Sequence, residues 1–415
     1  MVNTKTILVY LCQIIKEMEA LYTQHVQVLN EIEASFRRDL QEDIDWNEKL
    51  LFIKGARGIG KTTLILQHIL QVFAYDKKAL YVSMDNINMA DKRIIDIDKY
   101  HNNQGGTHLF IDEIHKYENW SQELKNIYDT YKKLRVVVSG SSILHLYKGN
   151  ADLSRRGVTY NLNGLSLREY LNIQSKLNLQ KYTLDEILKN HEKIASQILK
   201  LVNPLQYFKE YLSHGYYPFY LEGTRNFHQK LNQTINQTIE NDIPQLFHLE
   251  LNNINKIKKL LYHIATSVPF QPNTTKLAES MELSRPTLNS NLQYMHEAKI
   301  LQLLWDSTKA YTLISKPEKI YLQNPNICHL VVSSSANLGN LRETFFMNQL
   351  TANNYAVNSA SKGDFLVNNK HIFEIGGEGK SFKQIANIKN SYLALDHELI
   401  GAGNRIPLWL FGFLG

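Results

Sequence analysis

The segment that most constrains this chain runs from residue 55 to residue 62 and spells Gly-Ala-Arg-Gly-Ile-Gly-Lys-Thr. It fits the pattern G-x-x-x-x-G-K-T of a phosphate-binding loop. The apolar run Leu50–Ile53 precedes the segment, and a helical apolar pattern begins at Leu64. This strand, loop and helix order is the context that the pattern requires. The alternative is a glycine-rich turn without a ligand, so a second element is needed.

The loop itself predicts how a polyphosphate would be held. Glycines allow the backbone N–H groups to turn inward around phosphate oxygens. Lys61 can reach the β- and γ-phosphates, and the Thr62 hydroxyl can bind Mg²⁺. The expected nucleotide-binding residues of the loop are Gly55, Ala56, Arg57, Gly58, Ile59, Gly60, Lys61, Thr62 and Thr63.

An acidic pair supplies the second element. The apolar run Leu109–Ile111 ends in Asp112 and Glu113. At the carboxyl end of a strand, Asp112 is expected to hold Mg²⁺, and Glu113 to orient or deprotonate the attacking water. The alternative is a helix N-cap, which the upstream phosphate loop makes the weaker interpretation.

Polar residues after the next apolar strand extend the predicted site. Ser139 and Ser141 follow Val136–Val138, and ligands of open parallel sheets bind beyond the carboxyl ends of the strands. Both serines could therefore contact the γ-phosphate or the attacking water. Capping of the following helix is an equally good role for them.

Two arginines follow soon afterwards, Arg155 and Arg156. A guanidinium can neutralise charge on a transferring phosphoryl group, either in its own subunit or in a neighbour's. The alternative is a solvated surface pair, and the sequence favours neither interpretation.

Composition bounds the class of protein. The 415 residues predict about two to four domains, and 43% hydrophobic with 21% charged residues is typical of a globular chain. A net charge of +6 permits nucleic-acid contact without arguing for it. Cys12 and Cys328 lie far apart, which excludes a disulfide scaffold and favours the cytoplasm. No run approaches a membrane span, so no membrane partner is expected.

Periodicity predicts an α/β chain of five segments. Strands expected at 50–54, 79–83, 108–112, 135–139 and 159–162 alternate with helices, which predicts a parallel sheet. The expected segments are an N-terminal helical segment (1–45), a P-loop ATPase core (46–171), a helical lid (172–250), a winged-helix-like domain (251–325) and a small α/β domain of alternating strand and helix signals (326–415). The apolar end Ile406–Leu414 is expected to form a buried final strand.

The sequence does not decide what the predicted winged helix binds. Its third helix would bury Leu288, Leu292 and Met295 and would expose Arg285, Asn289, Asn291, Gln293 and His296, a face with little positive charge. Because DNA binding depends heavily on phosphate neutralisation, contact with DNA, contact with protein and simple scaffolding all remain interpretations of this region.

Taken together, the chain resembles prokaryotic P-loop ATPases of the AAA-like or STAND-like group, which join an ATPase core to a C-terminal domain of unknown function. The matching stretches are 55–63, 109–120 (LFIDEIHKYENW), 138–144 (VSGSSIL), 152–171, 215–219 (GYYPF), 376–385 and 406–414. The resemblance implies adenine rather than guanine nucleotides. It also implies a winged-helix region followed by a domain similar to restriction endonucleases.

The nuclease-like domain can be tested on its residues. Such nucleases use an Asp and then a Glu-x-Lys on the next strand, and here Asp364 and Glu374 fit, with Glu343 as the accessory acid. The position expected to be Lys is Gly376, and Lys380 could substitute only if the chain folds back. The resemblance therefore implies a nuclease fold with a degenerate site.

The favoured prediction is an ATPase that uses ATP and Mg²⁺, and whose nucleotide state controls the C-terminal domains. The rivals are an ATP-gated DNA nuclease and a non-enzymatic nucleotide-dependent switch or scaffold. A protein partner or a homo-oligomer is compatible with each of these.

Overall fold

The computed structural model describes residues 4–32, 36–142, 153, 155–266, 269–307, 316–331 and 338–415, with backbone alone for residues 4–15. The chain divides into two compact units, Met1–Leu162 and Asn163–Gly415. None of the described helices is both long and apolar enough to cross a membrane.

The first unit alternates strands and helices along the chain. Its strands are β1 (Leu50–Gly55), β2 (Ala79–Ser83), β3 (His108–Asp112), β4 (Arg135–Ser141) and β5 (Val158–Asn161). Its helices are α1 (Thr4–Asn30), α2 (Leu40–Asp43), α3 (Lys61–Val72), α4 (Ile94–Asn103) and α5 (Trp120–Thr130), with short 3₁₀ turns at Ile87–Met89 and Ile114–Lys116.

The five strands form one parallel sheet in the order β2-β3-β4-β1-β5. Strands β1, β3 and β4 are buried almost continuously, as expected for a parallel sheet covered on both faces. All five strands begin at one edge of the sheet and end at the other. The residues that follow β1, β3 and β4 therefore meet at the same edge, where ligands of such sheets bind.

Helix α1 packs against the edge strand β2. Met18 and Leu21 are buried in the core. The Tyr22 hydroxyl lies 2.6 Å from His101 Nδ1, and His25 Nδ1 accepts from the Tyr81 backbone N–H at 3.1 Å. The helix thus covers one side of β2 with both apolar and hydrogen-bonded contacts.

The second unit begins with helices, which agrees with the expected helical pattern. They are α6 (Leu167–Ser175), α7 (Leu184–Leu199), α8 (Pro204–Glu210), α9 (Phe227–Gln237) and α10 (Ile243–Phe247), with π-helical turns at Tyr211–Gly215 and Thr238–Asp242 and a 3₁₀ turn at Pro218–Glu222. Helices α6 and α7 each begin with a complete capping box, formed by Ser166 with Glu169 and by Thr183 with Glu186.

The segment predicted as a winged helix contains three helices followed by two strands. Helices α11 (Leu251–Ala265), α12 (Thr274–Ser280) and α13 (Arg285–Glu297) precede the antiparallel strands β6 (Leu301–Leu304) and β7 (Lys319–Leu322). Leu288, Leu292 and Met295 are buried on α13, as the predicted stripe requires. Asn291 was wrongly predicted to be exposed, because it is fully buried and its side-chain amide donates to Asn253 Oδ1 at 3.0 Å. A role for this segment in DNA binding stays a prediction.

The last segment is built on a mixed sheet. After α14 (Pro325–Val331) and α15 (Leu338–Ala352) come β8 (Val357–Ser359), β9 (Phe365–Val367), β10 (His371–Gly376), β11 (Ser391–Leu395) and β12 (Arg405–Pro407), in the sheet order β12-β11-β10-β9-β8. Strands β10, β11 and β12 run parallel, whereas β8 and β9 are antiparallel neighbours.

The chain end differs from the predicted final strand. Strand β12 stops at Pro407, and Leu408–Phe413 form a 3₁₀ helix that is fully buried. A continuous apolar run of this length fits a buried strand and a buried helix equally well. Full burial removes the alternation of apolar and polar residues that would otherwise reveal the period of either element. The prediction of a strand through residue 414 was therefore wrong, although the prediction of burial was correct.

A buried carboxyl group in the first unit lacks a visible partner. Asp98 on α4 is 0% exposed, and among the described residues neither of its oxygens has a hydrogen-bond partner. Burial raises the pKa of Asp98 from 3.8 to about 7. The folded protein therefore keeps this carboxyl protonated at a pH where the unfolded chain has lost the proton.

We expect this group to make stability fall as the pH rises from about 4 to about 7, since the unfolded state binds fewer protons there. Asp98→Asn removes the titration and should flatten the fall in melting temperature between about pH 4 and about pH 7, by an amount equivalent to roughly 1 kcal/mol or more. Asp96→Asn, an exposed position on the same helix, is the matched control. An unchanged pH profile in Asp98→Asn would contradict the assignment.

Candidate functional site

The phosphate loop joins β1 to α3 and depends on its glycines. Gly58 and Gly60 have φ angles of 81° and 90°, a left-handed conformation that side chains rarely adopt. Gly55 is needed for space instead, because a Cβ there would lie 2.4 Å from the Leu162 carbonyl oxygen. The loop conformation therefore follows from the three glycines of the motif.

Lys61 lies across the loop. Its side chain is buried, and Nζ donates to the carbonyl oxygens of Gly55 at 3.2 Å and Ala56 at 3.0 Å. Ile59 is buried beneath the loop, whereas Gly58 and Thr63 are exposed and Arg57 is half-buried. The ammonium group is thus held over the concave side of the loop, in reach of a bound phosphate.

Asp112 is the centre of a hydroxyl cluster. Its carboxylate is 2% exposed, and Oδ2 accepts from the Thr62 hydroxyl at 2.6 Å and from the Tyr81 hydroxyl at 2.9 Å. The Ser139 hydroxyl donates to Oδ1. Burial, followed by the nearby Asp112 charge, raises the pKa of Tyr81, which keeps that hydroxyl a donor. Three elements, α3, β2 and β4, therefore converge on the carboxylate that ends β3.

Glu113 lies in the turn after β3, where the chain changes direction. Its φ of 51° is left-handed, and its backbone N–H donates to Asp112 Oδ1 at 3.1 Å and to Ser139 Oγ at 3.3 Å. Glu113 Oε2 lies 3.4 Å from His115 Nδ1, and the Glu113 side chain is 23% exposed. Ser141, at the end of β4, is buried. The two predicted acids and the two predicted serines thus lie at the same edge of the sheet.

The predicted arginines are not brought together with the loop. Arg156 Nε lies 3.3 Å from Asp129 Oδ1, and its guanidinium lies 6.0 Å from the centre of the Tyr128 ring. The Tyr128 carbonyl accepts from Lys49, which precedes β1, so Arg156 lies near the opposite edge of the sheet. Arg155 is exposed. A catalytic role within the same subunit therefore lacks geometric support for Arg156.

Sequence reasoning missed three residues around the site. Tyr81 binds Asp112, Arg38 donates to the Ile59 carbonyl at 2.9 Å, and His115 lies beside Glu113. Tyr81 looks like an ordinary strand aromatic, and only the adjacency of β2 and β3 brings it to Asp112. Arg38 lies 21 residues before its acceptor in the sequence, and no local sequence pattern reveals a contact over that separation. His115 alone could have been found, from its position two residues after Glu113.

The second unit holds a mixed cluster of acids and lysines. Glu343 Oε2 accepts from the Tyr321 hydroxyl at 2.7 Å, and Asp364 Oδ2 accepts from the Ile375 N–H at 2.8 Å. Lys380 Nζ lies 2.5 Å from Glu374 Oε1, so the chain does fold back as the substitution for Gly376 requires.

Lysines compensate the buried acids of this cluster. Lys319 Nζ lies 3.9 Å from Asp364 Oδ1, a contact that the sequence did not predict. Burial and then the Asp364 charge raise the pKa of Glu343 to about 6. Burial opposes the charge on Lys380, but the hydrogen bond with Glu374 and the charges of the three nearby acids together outweigh this effect and raise the pKa of Lys380. Across the described residues, no group of three or more acidic, His or Cys side chains is arranged to hold a metal ion.

Family comparisons agree with the geometry of the first unit. Residues 47–171 match the family model described as AAA domain. Residues 47–171 form an AAA domain. Residues 205–338 match a second model, described as Domain of unknown function (DUF8612). The predicted α/β P-loop fold with a parallel sheet is confirmed, as is the resemblance to an AAA-like ATPase that carries a C-terminal domain of unknown function.

A curated relative covers much of the chain. Uncharacterized protein MJ1637 of Methanocaldococcus jannaschii is 27% identical over 291 residues, which are 66% of this chain and 60% of that protein. The chain therefore spans about 60% of the length of the curated relative that it matches.

Several solved structures resemble parts of this chain at low identity and low TM-score. The Aeropyrum pernix ORC1 protein in complex with DNA has a TM-score of 0.32 and 11% identity, covering 75% of this chain and 92% of that chain. AMPPCP-bound DnaA from Aquifex aeolicus has a TM-score of 0.25 and 16% identity, covering 66% and 87%. A STAND protein from Pyrococcus horikoshii has a TM-score of 0.27 and 15% identity, covering 78% and 45%. The fold assignment rests on the sheet topology and the family match.

The hydroxyl cluster makes a direct prediction about the AAA domain. Tyr81→Phe removes one of the donors to Asp112 and should weaken the affinity for Mg²⁺-nucleotide about 3- to 10-fold, the loss expected of one hydrogen bond to a charged group. Titration calorimetry with and without Mg²⁺ measures this. Tyr128→Phe, whose ring packs near the opposite edge of the sheet, should bind like the wild type. Equal affinities for both variants would contradict a role for Tyr81.

Proposed function

We propose that the AAA domain binds ATP with Mg²⁺ and hydrolyses it slowly, and that its nucleotide state controls the second unit. The observation that carries the proposal is the contact of Thr62 with Asp112 at the sheet edge, directly beside Lys61 and Glu113. The phosphate loop, the proposed metal-binding oxygens and the candidate base then lie together at the carboxyl ends of the strands. In-line attack of water on a γ-phosphate needs these groups close to one another.

Loop and lysine would bind the triphosphate. The ammonium group of Lys61 now donates to the backbone carbonyls of Gly55 and Ala56. Anionic phosphate oxygens are better acceptors than carbonyls, so a bound triphosphate would draw the ammonium to the β- and γ-phosphates. The N–H groups of the loop and the first turn of α3 add a positive potential at the same point.

The residues fit a magnesium ion. Mg²⁺ prefers hard oxygen ligands and is usually held by one or two protein groups together with phosphates and water. Thr62 Oγ1 and Asp112 Oδ2, 2.6 Å apart, are such a pair. The ion would supply charge neutralisation of the phosphate oxygens, while Tyr81 and Ser139 keep the Asp112 carboxylate oriented.

Glu113 is the proposed base. Its backbone is anchored by Asp112 and Ser139, and its carboxylate remains partly exposed at the sheet edge. It can accept a proton from the attacking water, and His115 beside Oε2 limits how the carboxylate turns. Since Arg156 is bound to Asp129, we propose that Arg155 or Arg156 would act on a neighbouring subunit's nucleotide in a homo-oligomer.

Coupling to the second unit would start at the phosphate loop. The Leu162 N–H donates to the Lys54 carbonyl at 2.7 Å, and the Leu162 carbonyl closely approaches Gly55. Leu162 is also the last residue of the first unit. A shift of the loop on nucleotide binding would therefore move the point at which the chain leaves the first unit.

Two substitutions test the proposal. Lys61→Ala should weaken nucleotide binding at least about 100-fold, because it removes the main charge on the phosphates. Glu113→Gln should bind normally and lower turnover by about 10²- to 10⁴-fold, the usual contribution of a general base. Calorimetry measures binding and phosphate release measures turnover.

Glu118→Gln, an exposed change five residues further on, is the control for Glu113→Gln. Full hydrolysis in Glu113→Gln would refute the assignment of the base. Tight binding without any phosphate release in the wild type would instead support the non-enzymatic switch, since binding alone can shift a conformational equilibrium.

A nucleotide-gated DNA nuclease is the second candidate, and the contact of Lys380 with Glu374 favours it. This lysine supplies the group that Gly376 lacks, next to Asp364 and Glu343. A divalent ion at the acids would have to displace the ammonium groups of Lys319 and Lys380. That displacement would be a point at which nuclease activity is controlled, because it separates an ion-paired state from a metal-binding state.

Plasmid incubated with Mg²⁺ and ATP tests this candidate. If the cluster cleaves DNA, Asp364→Ala and Lys380→Ala should each abolish nicking, because one removes a metal-binding acid and the other the lysine that assists water. Lys383→Ala changes an exposed lysine three residues away and should cleave normally. Intact plasmid with the wild-type protein under all nucleotide conditions would rule the nuclease out.

A further inference from the structure

A polar cleft of about 470 Å³ lies in the second unit, outside the sites described above. Its lining includes Gln271, Thr274, Thr275, Lys316, Glu318 and Lys319. The cleft is thus formed by the start of α12, the strand β7 and the segment before it. Ser359, the last residue of β8, also lines it.

The lining favours a phosphate-rich ligand. Two lysines face one glutamate, and hydroxyl and amide groups supply neutral hydrogen-bond donors. None of the described lining residues is aromatic, so none of these residues offers a platform on which a base could stack. Lysines with neutral donors, but no stacking ring, are suited to the sugar-phosphate backbone rather than to bases.

The cleft adjoins the acid and lysine cluster through Lys319. The Nζ of this lysine lies 3.9 Å from Asp364 Oδ1, while its side chain also lines the cleft. Ser359 pairs in register with Phe365, the neighbour of Asp364 in sequence. A phosphodiester in the cleft would therefore have the carboxylates of Asp364 and Glu374 next along its path.

We propose that this cleft binds the phosphodiester backbone of a nucleic-acid strand and guides it to the cluster of Glu343, Asp364 and Glu374. The proposal rests on a nucleic-acid role of the second unit, but it requires neither cleavage nor ATP hydrolysis. DNA and RNA share the chemistry that the cleft recognises, so both belong in the test. Lys319 is then the residue that contacts the strand and the acids at once.

Fluorescence anisotropy with a short labelled DNA strand and the matching RNA strand tests binding by the full chain. EDTA in the buffer excludes metal-dependent cleavage and hydrolysis. Lys316→Glu and, separately, Thr275→Glu place a negative charge in the cleft and should weaken binding about 10-fold. Lys316→Glu should also lower the slope of log affinity against log salt by about one, since one phosphate contact is lost.

Lys193→Glu is the matched control, because it makes the same charge change on an exposed position of α7. Thermal melting confirms that each variant is folded. Weaker binding in the two cleft variants but not in Lys193→Glu would support the proposal. Equal effects of all three variants, or a wild type that binds neither strand, would overturn it.

The variant Asp364→Ala distinguishes strand binding in the cleft from DNA cleavage at the acids. The variant removes an acid without changing the cleft lysines, so it should bind the strands at least as tightly as the wild type. Retained strand binding by Asp364→Ala, together with a plasmid that the wild-type protein leaves intact, would leave the cleft assignment standing while the nuclease is discarded. A loss of strand binding in folded Asp364→Ala would overturn the assignment of the cleft.

Discussion

The buried carboxylate of Asp112 is the interaction on which the AAA domain depends. A charge that is 2% exposed is costly unless donors surround it, and here the donors are the hydroxyls of Thr62, Tyr81 and Ser139. These three residues belong to different elements. The same cluster therefore joins helix α3, the edge strand β2 and the central strand β4 to the carboxylate that ends β3.

The second unit solves the problem of buried acids in a different way. Glu343, Asp364 and Glu374 lie near one another, and Lys319 and Lys380 bring opposite charges to them. An ion pair of this kind is stable only while both partners remain. Lys319 is the residue that both contacts Asp364 and lines the cleft.

Most of the first unit could be predicted from the local sequence. The phosphate loop, the acidic pair after β3 and the strand limits at 79–83 and 108–112 were all predicted, because each depends on residues adjacent in the chain. The final strand was predicted wrongly at Leu408–Phe413, where complete burial removes the periodicity that distinguishes strand from helix. The roles of Arg155 and Arg156 stay open, since pairing with Asp129 depends on packing that no motif describes.

The sequence by itself thus determined the phosphate loop, the identity of the acids and the alternation of strands and helices, because glycine conformations and hydrophobic periods act over a few residues. Only the tertiary structure decided that Tyr81 and Arg38 support the loop and Asp112, that Lys380 reaches Glu374, and that Lys319 joins the cleft to Asp364. Those contacts depend on sheet order and on how loops fold back. Both are properties of the packed chain, in which residues far apart in sequence compete for the same buried charge.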